Sequence, residues 1–416
     1  MKKVLVVDDS KTILALLKSE IEHYPDIDAY YAEDYKSAMR LVRERQGGFH
    51  AALLDLNLPD APDGEIVELA IANKIPAVIL SATINKELKD SVMKKNIVDF
   101  VLKNDQASIK FAVKAIDRTL KNYDVSVLIV DDSKTYRMAL RKILSGIHLN
   151  VLEAENGEEA LKILEGNKSI SLVITDYEMP KMNGLDLTYQ LRTKFKKDEL
   201  SIIVISSLNK ENVVNDFLRF GANDFINKPF SNSEVVVRIN SNLELLDLFS
   251  QIKDMANKDF LTGMFNRRYF FDSGTSIYHK NKRNNAPIAL VMVDIDKFKN
   301  INDVYGHDVG DDAIKEVKKI LNENLRESDL VSRFGGEEFC ILLEDISLEN
   351  VSLLFEKIRA SFEANIIKSH GVEISYTIST GVRFGMLESL DEMIKASDEA
   401  LYEAKTTGRN KVVIKT

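Results

Sequence analysis

VLVVDDSKT at residues 4–12 returns as VLIVDDSKT at residues 127–135, with eight of nine positions identical. The offset of 123 residues is the size of a domain and too long for a solenoid repeat. Further landmarks recur at nearly the same offset. LLDLNLPD (53–60) pairs with ITDYEMPK (174–181), VILSAT (78–83) with VISSLN (204–209), and DFVLKN (99–104) with DFINKP (224–229). The first two-thirds of the chain is therefore a tandem duplication.

In the first copy, strand-like runs at 4–7, 51–54, 76–80 and 98–102 alternate with amphipathic stretches such as Ile13, Leu14, Leu17 and Ile21. That alternation predicts βα units around a buried parallel sheet, a doubly wound sandwich with its site at the carboxyl ends of the strands. From about residue 231, Val235, Val236, Ile239, Leu243, Leu246, Phe249, Ile252 and Met255 recur at three- and four-residue steps and predict a long connecting helix. Its first half is expected to pack on copy two. Beyond Leu246 that domain runs out of surface, and a partner helix becomes an equal reading. After Asp259 there is no third copy. IALVMVDID (288–296), LVSRFGGEEFCILL (330–343) and EISYTISTGVRF (373–384) alternate with helical patterns at 309–326, 347–367 and 388–407, which predicts an α+β domain. The expected division is 1–122, 123–245, a connecting helix 246–258, and 259–416.

Composition narrows the class. Hydrophobic residues make 45% and charged residues 29% of the 416 residues, an ordinary globular balance that excludes wholesale disorder. Lys and Arg total 56 against 65 Asp and Glu, and a net charge of −9 argues against a nucleic-acid partner. A single cysteine, Cys340, excludes an internal disulfide framework and a Cys-based zinc site. The six histidines show no ligand spacing. No apolar run has the length of a membrane span, and acids follow the opening MKKVLVV at once, so it reads as a strand and not a signal peptide. A cytoplasmic protein without a membrane partner is expected.

Acidic residues stand where strands end. Copy one has Asp8, Asp9 and Asp55; copy two has Asp131, Asp132 and Asp176. Converging strand ends should bring each trio together, and such a cluster calls for a hard cation such as Mg²⁺. A carboxylate beside a metal can accept a phosphoryl group. A hydroxyl (Ser81, Ser206) and a lysine (Lys103, Lys228) at the next two strand ends can hold its oxygens. In the third domain, GGEEF (335–339) between two apolar runs is a hairpin signal. Its glycines allow close backbone approach, its acids suit a metal-bound polyphosphate, and Asp294 lies at the end of a buried strand.

The two copies resemble the receiver domains of two-component signalling. The resemblance implies that Asp55 and Asp176 are phosphoacceptors, that each trio holds one Mg²⁺, and that Ser81, Lys103, Ser206 and Lys228 form the switch. It puts Phe100 and Phe225 at the rotating aromatic position. Copy two keeps a Lys228-Pro229 pair where copy one has Asn104, and the Asp55–Ser81 spacing is four residues shorter than Asp176–Ser206. The third domain resembles the GGDEF domain of diguanylate cyclases, an α+β fold like a nucleotidyl-cyclase palm. DFLTGMFNRR (259–268), VDIDKFKNIND (293–303), HDVGDD (307–312), GGEEF and AKTTGRNKV (404–412) occur in the family's order, with Glu337 as the third signature letter and Met264 in place of a leucine.

This second resemblance implies condensation of two GTP into cyclic di-GMP and two pyrophosphates. Asp294, Glu337, Glu338 and the Ile295 carbonyl are expected to hold two Mg²⁺, with Glu338 also helping to deprotonate the attacking hydroxyl. Asn302 and Asp311 would recognise guanine. Lys297, Phe298, Arg333, Lys405 and Arg409 would line or neutralise the phosphate site, and Gly335 and Gly336 would accommodate the nucleotide. Arg326 and Asp329, an RxxD five residues before GGEEF, match the family's product-inhibition site, with Lys357 standing for its secondary arginine and Arg359 nearby. The implied partners are a sensor histidine kinase or phosphotransfer protein and a second copy in a homodimer. The competing reading is a catalytically inactive regulator that binds cyclic di-GMP. A DNA-binding output lacks any basic segment to support it.

Overall fold

The computed structural model describes residues 1–45, 48–82, 97–167, 169–207, 217 and 219–416. Thr83, Leu208 and Asn209, at the tails of two paired landmarks, lie outside them. The chain forms two compact units, Met1–Ser250 and Gln251–Thr416.

The first unit contains two five-stranded parallel sheets. One has the order Ile27–Ala32, Lys2–Val7, Ala51–Leu54, Ala77–Ser81, Asp99–Leu102, and the other is its counterpart, from Asn150–Ala154 to Asp224–Asn227. Strand parity explains the layers. Val4 and Val6 point into a core with Leu17, Ile109 and Val113, whereas Leu5 and Val7 point into one with Val42, Ile66 and Val67. Alternate residues thus bury both faces of the sheet between helices, as a doubly wound fold requires. The strand Ile27–Ala32 is additional to the runs legible in the sequence. It is an edge strand, paired only with Lys2–Val7, and its IDAYYA carries no continuous apolar signal.

The helix Asn232–Asn257 follows the second sheet. Val235, Ile239 and Leu243 are buried on that sheet and Leu246 packs partly against it, while Phe249, Ile252 and Met255 are 45%, 59% and 83% exposed. Within the first unit the helix Gln106–Asn122 reaches it through the ion pairs Arg118–Asp247, at 2.6 Å, and Lys114–Glu244. Among the described residues no helix is long and apolar enough to cross a membrane.

The second unit holds a six-stranded mixed sheet in the order Phe265–Asn266, Leu330–Gly335, Glu338–Glu344, Ile288–Ile295, Ile378–Phe384, Val412–Lys415. In IALVMVDI, the odd residues Ala289, Val291, Val293 and Ile295 face the helices His307–Asn324 and Leu348–Ala364. The even residues Ile288, Leu290 and Met292 face Arg267–Asn284 and Leu390–Thr406. The segment 373–384, a single strand by its sequence pattern, is divided. Val372–Ile374 pairs with Ile367–Ser369 in a small hairpin, and Ile378 begins the main-sheet strand. Between them Tyr376 turns inward and donates its hydroxyl to the Ala313 carbonyl at 2.7 Å.

Candidate functional site

In each receiver the first and third strands are neighbours, so the residues that follow them meet. Carboxylate oxygens of Asp8, Asp9 and Asp55 lie within 4.8 Å of one another, as do those of Asp131, Asp132 and Asp176. The backbone fixes this convergence: Asp55 N–H donates to the Val7 carbonyl, and Asp8 Oδ1 accepts from Ser10 N–H. The lysine expected from the sequence completes each pocket. Lys103 Nζ is 2.6 Å from both Asp8 Oδ2 and Asp55 Oδ2, and Lys228 Nζ is 3.0 Å from Asp131 Oδ2 and 3.1 Å from Asp176 Oδ1. One backbone bond joins hydroxyl and lysine in both copies, since Lys103 N–H donates to the Ser81 carbonyl and Lys228 N–H to that of Ser206. Ser81 and Ser206 are buried. Phe225 is buried and stacks on Phe217, whereas Phe100 is half-buried.

Burial raises the pKa of Asp8 above its ordinary value, against the pull of Lys103, and burial likewise raises that of Asp176 against Lys228. Burial alone would lower Lys228, but Asp131 and Asp176 outweigh it and raise its pKa. Each pocket thus contains three carboxylates and one ammonium, a donor set of hard oxygens with unneutralised charge that fits a divalent cation.

In the second unit, parity puts Asp294 on the face of Leu390–Thr406, and Lys405 from that helix reaches Asp294 Oδ2 at 2.7 Å. Glu338 stands directly opposite Asp294 across the antiparallel ladder. Like charges in that position repel. Burial raises the Asp294 pKa to about 6; Lys405 opposes the rise, and Glu337 and Glu338 add to it. Glu337 lies in the two-residue turn between Gly335 and Glu338, whose first residue, Gly336, has φ +50°. A Cβ on Gly335 or Gly336 would meet nothing within 4 Å, so the turn leaves open space above it. Among the described residues only the receiver trios converge within 4.8 Å; Asp294, Glu337 and Glu338 are spread more widely.

Lys297, at φ +55°, starts the short helix Phe298–Tyr305, which carries Asn302. The Asn302 Oδ1 is buried and has no hydrogen-bond partner. A Cβ on Gly310 would lie 1.9 Å from that oxygen, so a larger residue there would push the Asn302 amide out of its place. Asp311, half-buried, follows Gly310. Gly408, Arg409 and Asn410 all have positive φ in the turn after Lys405, and Arg409 is exposed.

Two arrangements go beyond the sequence reading. Asp296, buried, accepts from Thr377 Oγ1 (2.7 Å), Ser379 Oγ (2.6 Å) and Asn410 N–H (2.9 Å), tying the strand end to the turn beside Lys405. Its place in VDIDKF is the only sequence signal. Arg333, expected at the phosphate site, bonds to both oxygens of Asp259 and, at 2.9 and 2.7 Å, to the Gly336 carbonyl. It therefore braces the glycine turn. Arg326 and Asp329 line a pocket with Lys258, Lys318, Gly263 and Phe265. Lys258 and Lys318 are the other basic side chains in its lining, and neither Lys357 nor Arg359 of the same chain is among the lining residues. Arg359 is committed to Glu356, Glu363 and Asn410.

Tandem receivers joined to a cyclase domain define the class, and sequence comparison shows it. Residues 4–114 and 127–240 match the response regulator receiver domain, and residues 256–411 match the diguanylate cyclase GGDEF domain. The chain belongs to the response regulators, and its enzymatic part is a diguanylate cyclase. The chain is similar to the response regulator PleD of Caulobacter vibrioides, at 27% identity over 99% of this chain and 98% of that protein. The probable diguanylate cyclase DgcT of Escherichia coli is 41% identical over 39% of this chain and 36% of its own. A solved structure of a putative two-component response regulator/GGDEF protein is 36% identical, covering 59% of this chain and all of that chain with a TM-score of 0.54. These findings set aside the inactive-regulator reading.

The raised pKa of Asp294 gives a pH test. Its folded value of about 6 exceeds the ordinary 3.8, so between these the native state holds a proton that the unfolded chain has lost. The stability this group contributes is present below about pH 4 and is lost as pH rises to about 6. Denaturant titrations in EDTA should show that decline in the wild-type chain and a flatter profile in Asp294→Asn.

Proposed function

We propose that phosphoryl transfer to the receiver carboxylates switches a dimeric diguanylate cyclase that its own product inhibits. The observation that carries this reading is the duplicated pocket of three acids, lysine and serine, followed by one unbroken helix from Asn232 to Asn257 that ends two residues before Asp259. In this reading Asp55 and Asp176 accept phosphate from a histidine kinase or phosphotransfer protein. Each trio holds one Mg²⁺, and Ser81, Lys103, Ser206 and Lys228 engage the added oxygens. The phosphate changes the charge balance around the lysine and repacks the face near it.

In the cyclase domain, Asp294, Glu337, Glu338 and the Ile295 carbonyl would hold two Mg²⁺. Bound there, the metal ions neutralise and orient the triphosphate. The orphaned Asn302 Oδ1 fits a guanine N–H donor, with Asp311 beside it. Lys405 and Arg409 face phosphate charge, and Lys297 and Phe298 border the site. The open turn at Gly335 and Gly336 admits the nucleotide. The 3′-oxygen of one GTP bonds to the α-phosphorus of the other while the bond to the β-phosphate oxygen breaks. Glu338 takes the hydroxyl proton and pyrophosphate leaves. One domain holds one GTP, so two copies must meet face to face. Arg326 and Asp329, with Lys258 and Lys318 in the same pocket, suit the guanine and phosphates of the product.

Glu338→Gln keeps the side-chain volume and removes a metal-site charge; cyclic di-GMP formation is expected to fall by about 100-fold or more with circular dichroism unchanged. Near wild-type turnover would remove Glu338 from the chemistry. Arg326→Ala should leave the initial rate intact and raise the product concentration needed for half inhibition. Equal inhibition in both proteins would leave the motif as a charged turn. Beryllofluoride should promote dimers in light scattering and raise turnover, and Asp176→Asn should blunt this more than Asp55→Asn. A response that survives both substitutions together would show that the receivers are not the switch.

A further inference from the structure

The two receiver pockets have the same ligands but not the same support. Arg137, in the helix Lys134–Gly146 beside the second pocket, is only 7% exposed. Its Nη1 donates to the carbonyl of Asp131 at 2.8 Å and to that of Asp132 at 3.2 Å. Its Nη2 and Nε donate to Glu155 at 2.6 Å and Glu153 at 3.3 Å, and Glu153 also pairs with Arg141 at 2.6 Å. Two arginines and two glutamates balance, so this buried cation adds no net charge to the pocket beside it. What it adds is geometry. A rigid guanidinium fork bonded to two successive carbonyls fixes the peptide that carries both acids.

The first receiver lacks this device. The 123-residue offset puts Leu14 at the place of Arg137. Strand register puts Tyr31, opposite Val6, at the place of Glu153, opposite Ile129. Leu14 and Tyr31 pack instead among the apolar side chains beneath the sheet. There the loop relies on Ser10, whose hydroxyl caps the helix Lys11–Ile21; the corresponding Ser133 makes no such cap bond.

We propose that Arg137 is a positioning residue that pre-forms the metal pocket of the second receiver, making it the tighter Mg²⁺ site of the two. The proposal rests on the reading of Asp131, Asp132 and Asp176 as a metal pocket. An acid pair held in place before the cation arrives loses less freedom on binding, and removing such an outer support commonly costs about 10- to 100-fold in metal affinity.

The test is a Mn²⁺ titration of the full chain without nucleotide, followed by the electron paramagnetic resonance of the free ion. An Asp9→Asn background disables the first receiver. Adding Asp132→Asn should abolish the remaining receiver site. Adding Arg137→Leu, the residue of the first copy, should weaken it about tenfold or more. Arg137→Lys keeps the charge and most of the packing but loses the fork, and should also weaken it. Melting in EDTA reports the fold separately. If Arg137→Leu or Arg137→Lys lowers the melting temperature while Mn²⁺ affinity stays at the background value, the role is structural and the proposal fails. If Asp132→Asn itself leaves Mn²⁺ binding unchanged, the pocket reading fails and the proposal with it.

Discussion

Three carboxylates against one ammonium is the constraint on which this protein turns. It occurs at Asp8, Asp9 and Asp55 with Lys103, at Asp131, Asp132 and Asp176 with Lys228, and at Asp294, Glu337 and Glu338 with Lys405. Each site holds at least one buried acid, among them Asp8, Asp55, Asp131 and Asp294, in an under-neutralised cluster, which is costly, and strand pairing is what brings these acids together. Each lysine lowers the repulsion without removing it. The result is a set of sites left with excess negative charge, and in the proposed function cations and phosphates would complete their electrostatics.

The same composition is arranged in two ways. Parallel strand ends gather the receiver acids into one cluster, suited to a single cation and a single phosphate. The cyclase acids come from an antiparallel ladder and its turn, so they are spread along an edge. Arg333 and Asp259 hold the turn from one side, and Asp296 holds the neighbouring segments from the other. An extended arrangement suits a longer polyphosphate.

The duplication, the acid positions and the hairpin are legible in the sequence because they depend on local signals: repeated words, β-branched runs and glycine pairs. Strand Ile27–Ala32 is not, because an edge strand with half-buried aromatics has no continuous apolar run. Arg137 reads as one more polar residue in an amphipathic helix. Its role depends on Glu153 and Glu155, brought beside it by sheet pairing. The Gly310–Asn302 contact and the approach of Lys258 to Arg326 are likewise products of the fold, between segments whose sequences say nothing of one another. Arg333 is legible as a residue of the site but not by its partner, since Asp259 lies 74 residues away.

The alternation in Ile288–Ile295 also limits how this chain can evolve. Side chains along a strand change face at every step, so Asp294 meets Lys405 only while the count from Ile288 is kept. Substitutions such as Val291 to isoleucine preserve that count. Loss or gain of one residue would instead turn Asp294 toward Val317 and Phe355 and present an apolar neighbour to Lys405. Packing and chemistry would fail together. Length variation is therefore expected to be absent from this strand across lineages and to collect in the loops, while residue identity at its apolar positions drifts.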